Sequence, residues 1–229
     1  MGLSHSPSIV MDGFILNIDA GNIRSYSGSG ITANGLVGGI GGTLVNGTGF
    51  SSANNGSFYF DGTNDYIDCG NILDSPTDLT IIVWHKYLSG SLPKTFVAKL
   101  VSYQTGTGWG FYYNLSRLNF LIQTNGSNYR EYGTYDGFGL LGWQHSAVSV
   151  VNQVPVAFYM SGIGTTFRIS DTSGTPTSIS NSVNLRIGRN EGNDLIHTGN
   201  IAQVQIYNRA LSAAEVKQNF NATRKRYGI

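Results

Sequence analysis

The chain has 229 residues and a mass of 24.6 kDa, and only 12% of its side chains are charged, about half the roughly 25% usual in globular proteins. A formal net charge of +1 gives no electrostatic case for nucleic acid or an anionic membrane as partner. No apolar run of about 18 residues exists to cross a membrane as a helix, and the single cysteine, Cys69, allows no intrachain disulfide. A chain this long buries roughly 70% of its unfolded surface as one domain, so it needs no covalent staples. Cys69 reads as a small buried hydrophobe.

Residues 1–11 show no alternation and contain Pro7, which reads as an arm outside the domain, either disordered or docked on a partner. The segment lacks a basic stretch followed by an apolar one, so no secretory signal peptide is expected. FILNIDAGN (Phe14–Asn22) is the first strand. Arg24–Gly49 is rich in Gly, Ser and Asn and reads as a long loop with one short strand at Thr43–Asn46. Strands are then expected at Ser57–Asp61, Tyr66–Cys69, Leu79–Tyr87, Thr95–Leu100, Gly110–Asn114 and Leu118–Thr124. Four more follow at Ser146–Val151, Val156–Met160, Asn184–Gly188 and Asn200–Tyr207. Asp61-Gly62, Asn125-Gly126 and Asp136-Gly137 supply tight-turn signals between them.

The last strand alternates cleanly, with Ala202, Val204 and Ile206 on one face and Gln203, Gln205 and Tyr207 on the other. Ser212 and Glu215 then form a capping box, and Val216 and Phe220 share one face of a short helix expected to plug one end of a sheet. Residues 222–229, with Arg224-Lys225-Arg226, read as a basic tail clamping a neighbour or solvated. Many short strands and one terminal helix predict a single all-β antiparallel sandwich over residues 12–221.

Little in the sequence points to catalysis. A glycoside hydrolase needs two carboxylates flanking the scissile bond, and Glu131, Glu191 and Glu215 lie far apart in sequence, the last explained by capping. No G-x-S-x-G elbow or H-E-x-x-H pair occurs, and His5, His85, His145 and His197 are scattered. His85 and His145 lie in strands and read as packed residues. A non-catalytic protein is expected. Sugar binding calls for aromatic faces beside planar polar groups. Tyr103, Trp109, Tyr112, Tyr129, Tyr132 and Tyr135 are the candidates, in or beside Gly-rich loops, with ordinary core and edge packing as the alternative.

Several segments carry a family resemblance. GNIAQVQIYNRALS (Gly199–Ser212) with its capped helix resembles the closing motif of laminin G-like domains, within the concanavalin A-like lectin/glucanase superfamily. SFYFDGTNDYIDCG, LTIIVWHK, GWQHSAVSV and NLRIGRN agree with it in family order, spanning about Asp12 to Asn219. The resemblance implies a two-sheet jelly-roll sandwich. It also raises a structural calcium ion, for which Asp61, Asn64 and Asp65 in FDGTND are the candidate ligands, turn-building being the alternative. Where the family often has an acidic pair, this chain has Ala202 and Gln203, and the E-x-D-x-E strand of the related glucanases is absent. PSIVMDGFILNIDAGN, SYSGSG and QNFNATRKRYGI are similar to stand-alone laminin G-like proteins of tailed phages. That likeness implies a structural protein on the virion exterior, a capsid decoration or tail-fibre component, partnered by virion proteins or its own copies and by host-surface polysaccharide. A free carbohydrate-binding module is the alternative.

Overall fold

Period-2 runs form two antiparallel sheets packed face to face in the computed structural model, which describes residues 7–87, 93–114, 116–135 and 142–229. In chain order the strands are β1 (Phe14–Asp19), β2 (Thr32–Ala33), β3 (Gly42–Val45), β4 (Gly49–Ser51), β5 (Ser57–Asp61) and β6 (Tyr66–Asp68). Next come β7 (Leu79–Tyr87), β8 (Lys94–Leu100), β9 (Gly108–Asn114), β10 (Arg117–Asn125), β11 (Asn128–Thr134) and β12 (Gln144–Val151). The rest are β13 (Val154–Met160), β14 (Ile163–Thr165), β15 (Phe167–Ser173), β16 (Arg186–Ile187) and β17 (Thr198–Tyr207), followed by α1 (Ala213–Thr223).

An eight-stranded sheet runs β14-β13-β12-β7-β17-β5-β4, with β1 also paired to β17. The nine-stranded sheet facing it runs β15-β11-β10-β9-β8-β16-β6-β3-β2. Between them lies one core, where Leu16, Phe58, Ile81, Val204 and Ile206 meet Val97, Trp109, Phe111 and Phe120. This is the all-β sandwich with one short C-terminal helix that the strand pattern predicts.

The predicted strands all appear, and β2, β4, β11, β14 and β15 are additional. β11 (NYREYGT) and β15 (FRISDTS) carry little apolar alternation, beyond Tyr132 and Phe167 on the core side, because the face they present outward is polar. The Asn125-Gly126 turn joins β10 to β11, whereas Asp136-Gly137 lies outside the described residues. In β17 the pairing register shifts between Ile201 and Gln203. This bulge sends Ala202 to the outer face beside Trp84, away from Val204 and Ile206, so the simple alternation expected there is broken.

The capping box forms as expected: Ser212 Oγ accepts from the Glu215 amide and Glu215 Oε2 accepts from the Ser212 amide at 2.8 Å. Hydrogen bonds from Arg209, at 2.6 Å, and from Ser212 hold the Glu215 carboxyl at about 2. The helix does not plug a sheet end. It lies across the outer face of the eight-stranded sheet, with Val216 on Ile82, Ala147 and Tyr207 and with Phe220 stacked on Trp84.

That outer face is apolar, and both chain ends help to cover it. The Val10 amide donates to Asn219 Oδ1 at 2.8 Å and Tyr207 Oη donates to the Val10 carbonyl at 2.9 Å. Residues 224–227, expected as a solvated tail or clamp, form a 3-10 turn whose Tyr227 ring stacks on Trp84 at 4.0 Å. Arg226 pairs with Asp19 at 2.5 Å and donates to the Gly56 carbonyl at 2.7 Å. Val10, Arg226 and Tyr227 thus tie both described chain ends to the domain, with Met11, Arg224 and Lys225 exposed beside them, and 1–6 lie outside the described residues.

At Gly188 close approach and a left-handed backbone both require glycine. Gly188 has φ +90°, and a Cβ there would stand 2.4 Å from the Phe60 ring. Gly188→Ala is expected to cost about 2–4 kcal/mol, combining left-handed strain with overpacking; a urea midpoint equal to that of the parent chain would contradict this.

Candidate functional site

Alternation along β9 sends Trp109, Phe111 and Tyr113 into the core and Tyr112 to the opposite, outer face of the nine-stranded sheet. There Tyr112 joins Ala98, Leu100, Leu121 and Leu195 in a second cluster, with Tyr103 and Tyr129 packed against it. The loop joining β8 to β9 folds over this cluster and is pinned by the fully buried Gln123. Gln123 Oε1 accepts from the Gln104 amide at 2.9 Å, and its Nε2 donates to the Ser102 carbonyl at 2.5 Å. Asp194 Oδ2 fixes the same loop by accepting from Ser102 Oγ at 2.6 Å and from the Tyr103 amide at 3.0 Å.

Beside the loop, strand β15 carries a bulge. Glu131 pairs with Asp171 and Tyr132 with Ile169, which leaves Ser170 as the extra residue. Because directly paired residues point to the same face, the bulge aligns Asp171 with Glu131. A recess of about 200 Å³ opens here, lined by Tyr103, Asn114, Arg117, Asn119, Glu131, Ser170 and Asp171. Gly133 keeps its floor low, since a Cβ there would come within 2.6 Å of Asn119 Oδ1.

Tyr103 Oη donates to Glu131 Oε2 at 2.8 Å, and Tyr129 Oη and Gln104 Nε2 donate to Asp171 Oδ2 at 3.0 and 3.2 Å. Burial pushes the Glu131 carboxyl above its ordinary range and the Asp171 charge adds to this, against the pull of the Tyr103 and Tyr112 hydroxyls. The Tyr112 hydroxyl is buried next to Glu131 without a well-formed hydrogen bond. Chemically, the recess presents carboxylate and amide acceptors, a guanidinium and one aromatic wall.

Of the six aromatic candidates, Tyr103 borders the recess and Tyr129 supports Asp171. Tyr135 is 52% exposed at the sheet edge, under the Arg168 guanidinium. Trp109, Tyr112 and Tyr132 are buried and present no face to a ligand, because the alternation that placed them in strands also turned them into packed clusters. Asn119, Glu131, Ser170 and Asp171 were not expected as a group. Their signal in the sequence is faint: a polar strand, YREYG, with a carboxylate alternating with tyrosines. A larger groove of about 470 Å³ is lined mainly by glycines and threonines, and its one carboxylate, Asp68, already accepts from Asn184 Nδ2 at 2.8 Å and from the Gly70 amide at 2.9 Å.

A laminin G-type family model, described as the concanavalin A-like lectin/glucanases superfamily, matches residues 61–217. The chain belongs to this superfamily. A comparison with curated proteins finds no match. Among solved structures, the chain resembles Trypanosoma rangeli sialidase in complex with 2,3-difluorosialic acid, with a TM-score of 0.67 and 12% identity over 96% of this chain and 34% of the sialidase. The binding domain of paraclostridial mosquitocidal protein 1 is similar at a TM-score of 0.66 and 14% identity, over 92% of this chain and 52% of that one. Domain 4 of AbnA, an extracellular arabinanase from Geobacillus stearothermophilus, in complex with arabinotriose, gives 0.59 and 15% over 90% of this chain and 97% of the domain. The chain thus spans about a third of the sialidase and half of the toxin domain, and at these identities the likeness concerns the fold.

Within this concanavalin A-like framework both carboxylates of the Asp61–Asp65 turn accept from the turn's own amides. Asp61 Oδ1 accepts from the Thr63 amide at 2.7 Å and Asp65 Oδ2 from the Asp61 amide at 2.9 Å, so both carboxylates build the turn. The Asn64 carbonyl faces donors, Asn46 Nδ2 at 3.1 Å and the Arg189 guanidinium at 3.3 Å. Asp65 Oδ1 is buried without a partner, and burial with the nearby Asp61 charge pushes its carboxyl up. Calcium takes 6–8 oxygen ligands, more than this turn has free, and a guanidinium stands beside it. A melting temperature unchanged by chelator is expected; a clear fall would restore the ion.

Proposed function

We propose that this superfamily member is a non-catalytic carbohydrate-binding module that takes a sugar in the recess between Tyr103 and the Glu131–Asp171 pair. The carrying observation is the convergence of planar acceptors and donors beside one aromatic wall in a pocket sized for about one sugar ring. Five of the lining residues have a clear role: Asp171, Glu131 and Asn119 accept from hydroxyls, Arg117 donates to ring or hydroxyl oxygens, and Tyr103 closes one side. The neighbours solved with sialic acid and arabinose derivatives agree in fold with this reading. Screening the chain on an array of neutral, amino and acidic glycans tests it. Asp171→Ala is expected to weaken binding at least about tenfold, the usual scale for removing a charged hydrogen-bond partner. Unchanged binding, or a blank array, would overturn the site.

The module is displayed, on our reading, on the exterior of a phage particle. Support comes from the placement of the described chain ends: residues 8–10 and 224–227 pack on the outer face of the eight-stranded sheet, opposite the recess. Attachment through either end leaves the recess facing outward. Quantitative mass spectrometry of purified particles tests this, and absence of the protein would leave a free lectin-like module. An arm deletion should remove only residues 1–6, since Val10 belongs to the packed domain.

One observation favours a second reading. Glu131 and Asp171 are cross-strand neighbours, and burial raises the Glu131 carboxyl, the direction in which a general acid is tuned. Release of reducing ends from a bound polysaccharide, lost in Glu131→Gln, would replace binding by hydrolysis.

A further inference from the structure

We infer that the recess discriminates by charge, admitting a neutral or amino sugar residue and rejecting carboxylated sugars such as sialic and uronic acids; this rests on the carbohydrate reading above. Two carboxylates, Glu131 and Asp171, stand side by side on the lining, and Asp194 lies behind the Tyr103 amide. Glu131 is 6% exposed, so its field is little screened by water. Among the described residues Arg117 is the one cation lining the recess, and it is partly exposed. It pairs with Asn114 at the far end, four residues along β10 from Leu121, the β10 partner of Glu131.

The nearby donors are committed. Tyr103 donates to Glu131, and Tyr129 and Gln104 donate to Asp171. Further hydrogen bonding at the pair therefore falls to carboxylate lone pairs, which call for hydroxyl or ammonium protons from the ligand. A ligand carboxylate brings acceptors only and meets two like charges. Burial is the main cause of the raised Glu131 carboxyl and the Asp171 charge adds to it in the same direction, so a further negative charge beside the aligned pair is disfavoured.

The test compares matched glycans on the array and by calorimetry: galactose oligomers against galacturonic acid oligomers, and lactose against sialyllactose. The acidic partner is expected to bind at least about tenfold more weakly in each pair. Asp171→Asn, which keeps shape and removes charge, is expected to narrow that gap by raising the affinity for the acidic partner. Equal or tighter binding of acidic glycans, lost in Arg117→Gln, would overturn the inference while leaving carbohydrate binding standing. Binding of neither class would overturn the carbohydrate reading itself.

Discussion

Lowering the pH from 7 to 5 is expected to cost this fold several kcal/mol, because three of its histidines are buried as neutral rings. His85 packs on Phe96, His145 on Trp84 and Phe220, and His197 edge-on to Phe60. Burial lowers the pKa of His145 and of His197 to about 3, with Lys94 adding to the effect at His197. His85 is lowered well below its ordinary value by burial and by the two neighbouring histidines. In the unfolded chain His145 and His197 take up a proton near pH 6.5, whereas in the fold they do not until about pH 3. Between those values the unfolded state binds more protons, so stability falls as pH falls. At pH 5 the loss is about 2 kcal/mol for each of His145 and His197, with His85 acting in the same direction.

Two carboxyls oppose this trend. Glu131 and Asp65 have raised folded values, and each adds stability as the pH falls through its own titration. Glu215, held at about 2, works with the histidines only below about pH 4.5. Typical stabilities of 5–15 kcal/mol leave little room for such losses. The urea midpoint should therefore drop steeply between pH 6.5 and 5, before ordinary carboxylates titrate. A flat midpoint over that interval would mean that the rings are protonated in the fold.

Removing residues 224–229 is expected to be nearly as damaging. Tyr227 is buried between Trp84, at 4.0 Å, and Trp143, at 4.9 Å. Its deletion uncovers both indoles on the outer face of the eight-stranded sheet. Large aromatic-to-alanine changes cost about 3–5 kcal/mol. Arg226 also ties the turn to Asp19 and to the carbonyls of Asn54 and Gly56, so the truncation removes the ion pair of Asp19, leaving it the Gly21 amide. Tyr227→Ala separates the two effects and is expected to account for most of the loss. A truncated chain with the parent's melting temperature would show that the turn is dispensable.

The apolar strands and the helix cap were legible because each is a local signal: period-2 alternation in β7 and β12, and a Ser–Glu spacing before α1. The packing of the ends was not. Arg224-Lys225-Arg226 looks like a solvated charge run, and only Trp84 and Trp143, far away in sequence, give Tyr227 a place to stack. The recess was equally hidden. Glu131 stands alone in the sequence, and its partner Asp171 lies 40 positions on, aligned by a bulge that no composition signals. Three of the six aromatic candidates failed for a related reason. A tyrosine in a Gly-rich segment looks exposed, yet Gly108 and Gly110 make room for neighbours to close over Tyr112.

Backbone amide shifts in a labelled sample titrated with a neutral oligosaccharide selected by the array locate the bound sugar most directly. The account predicts perturbations concentrated at Tyr103, Asn119, Glu131, Ser170 and Asp171 and in the loop between β8 and β9. Perturbations confined to α1, to the Asp61–Asp65 turn or to the glycine-lined groove at Thr32–Thr43 would contradict it.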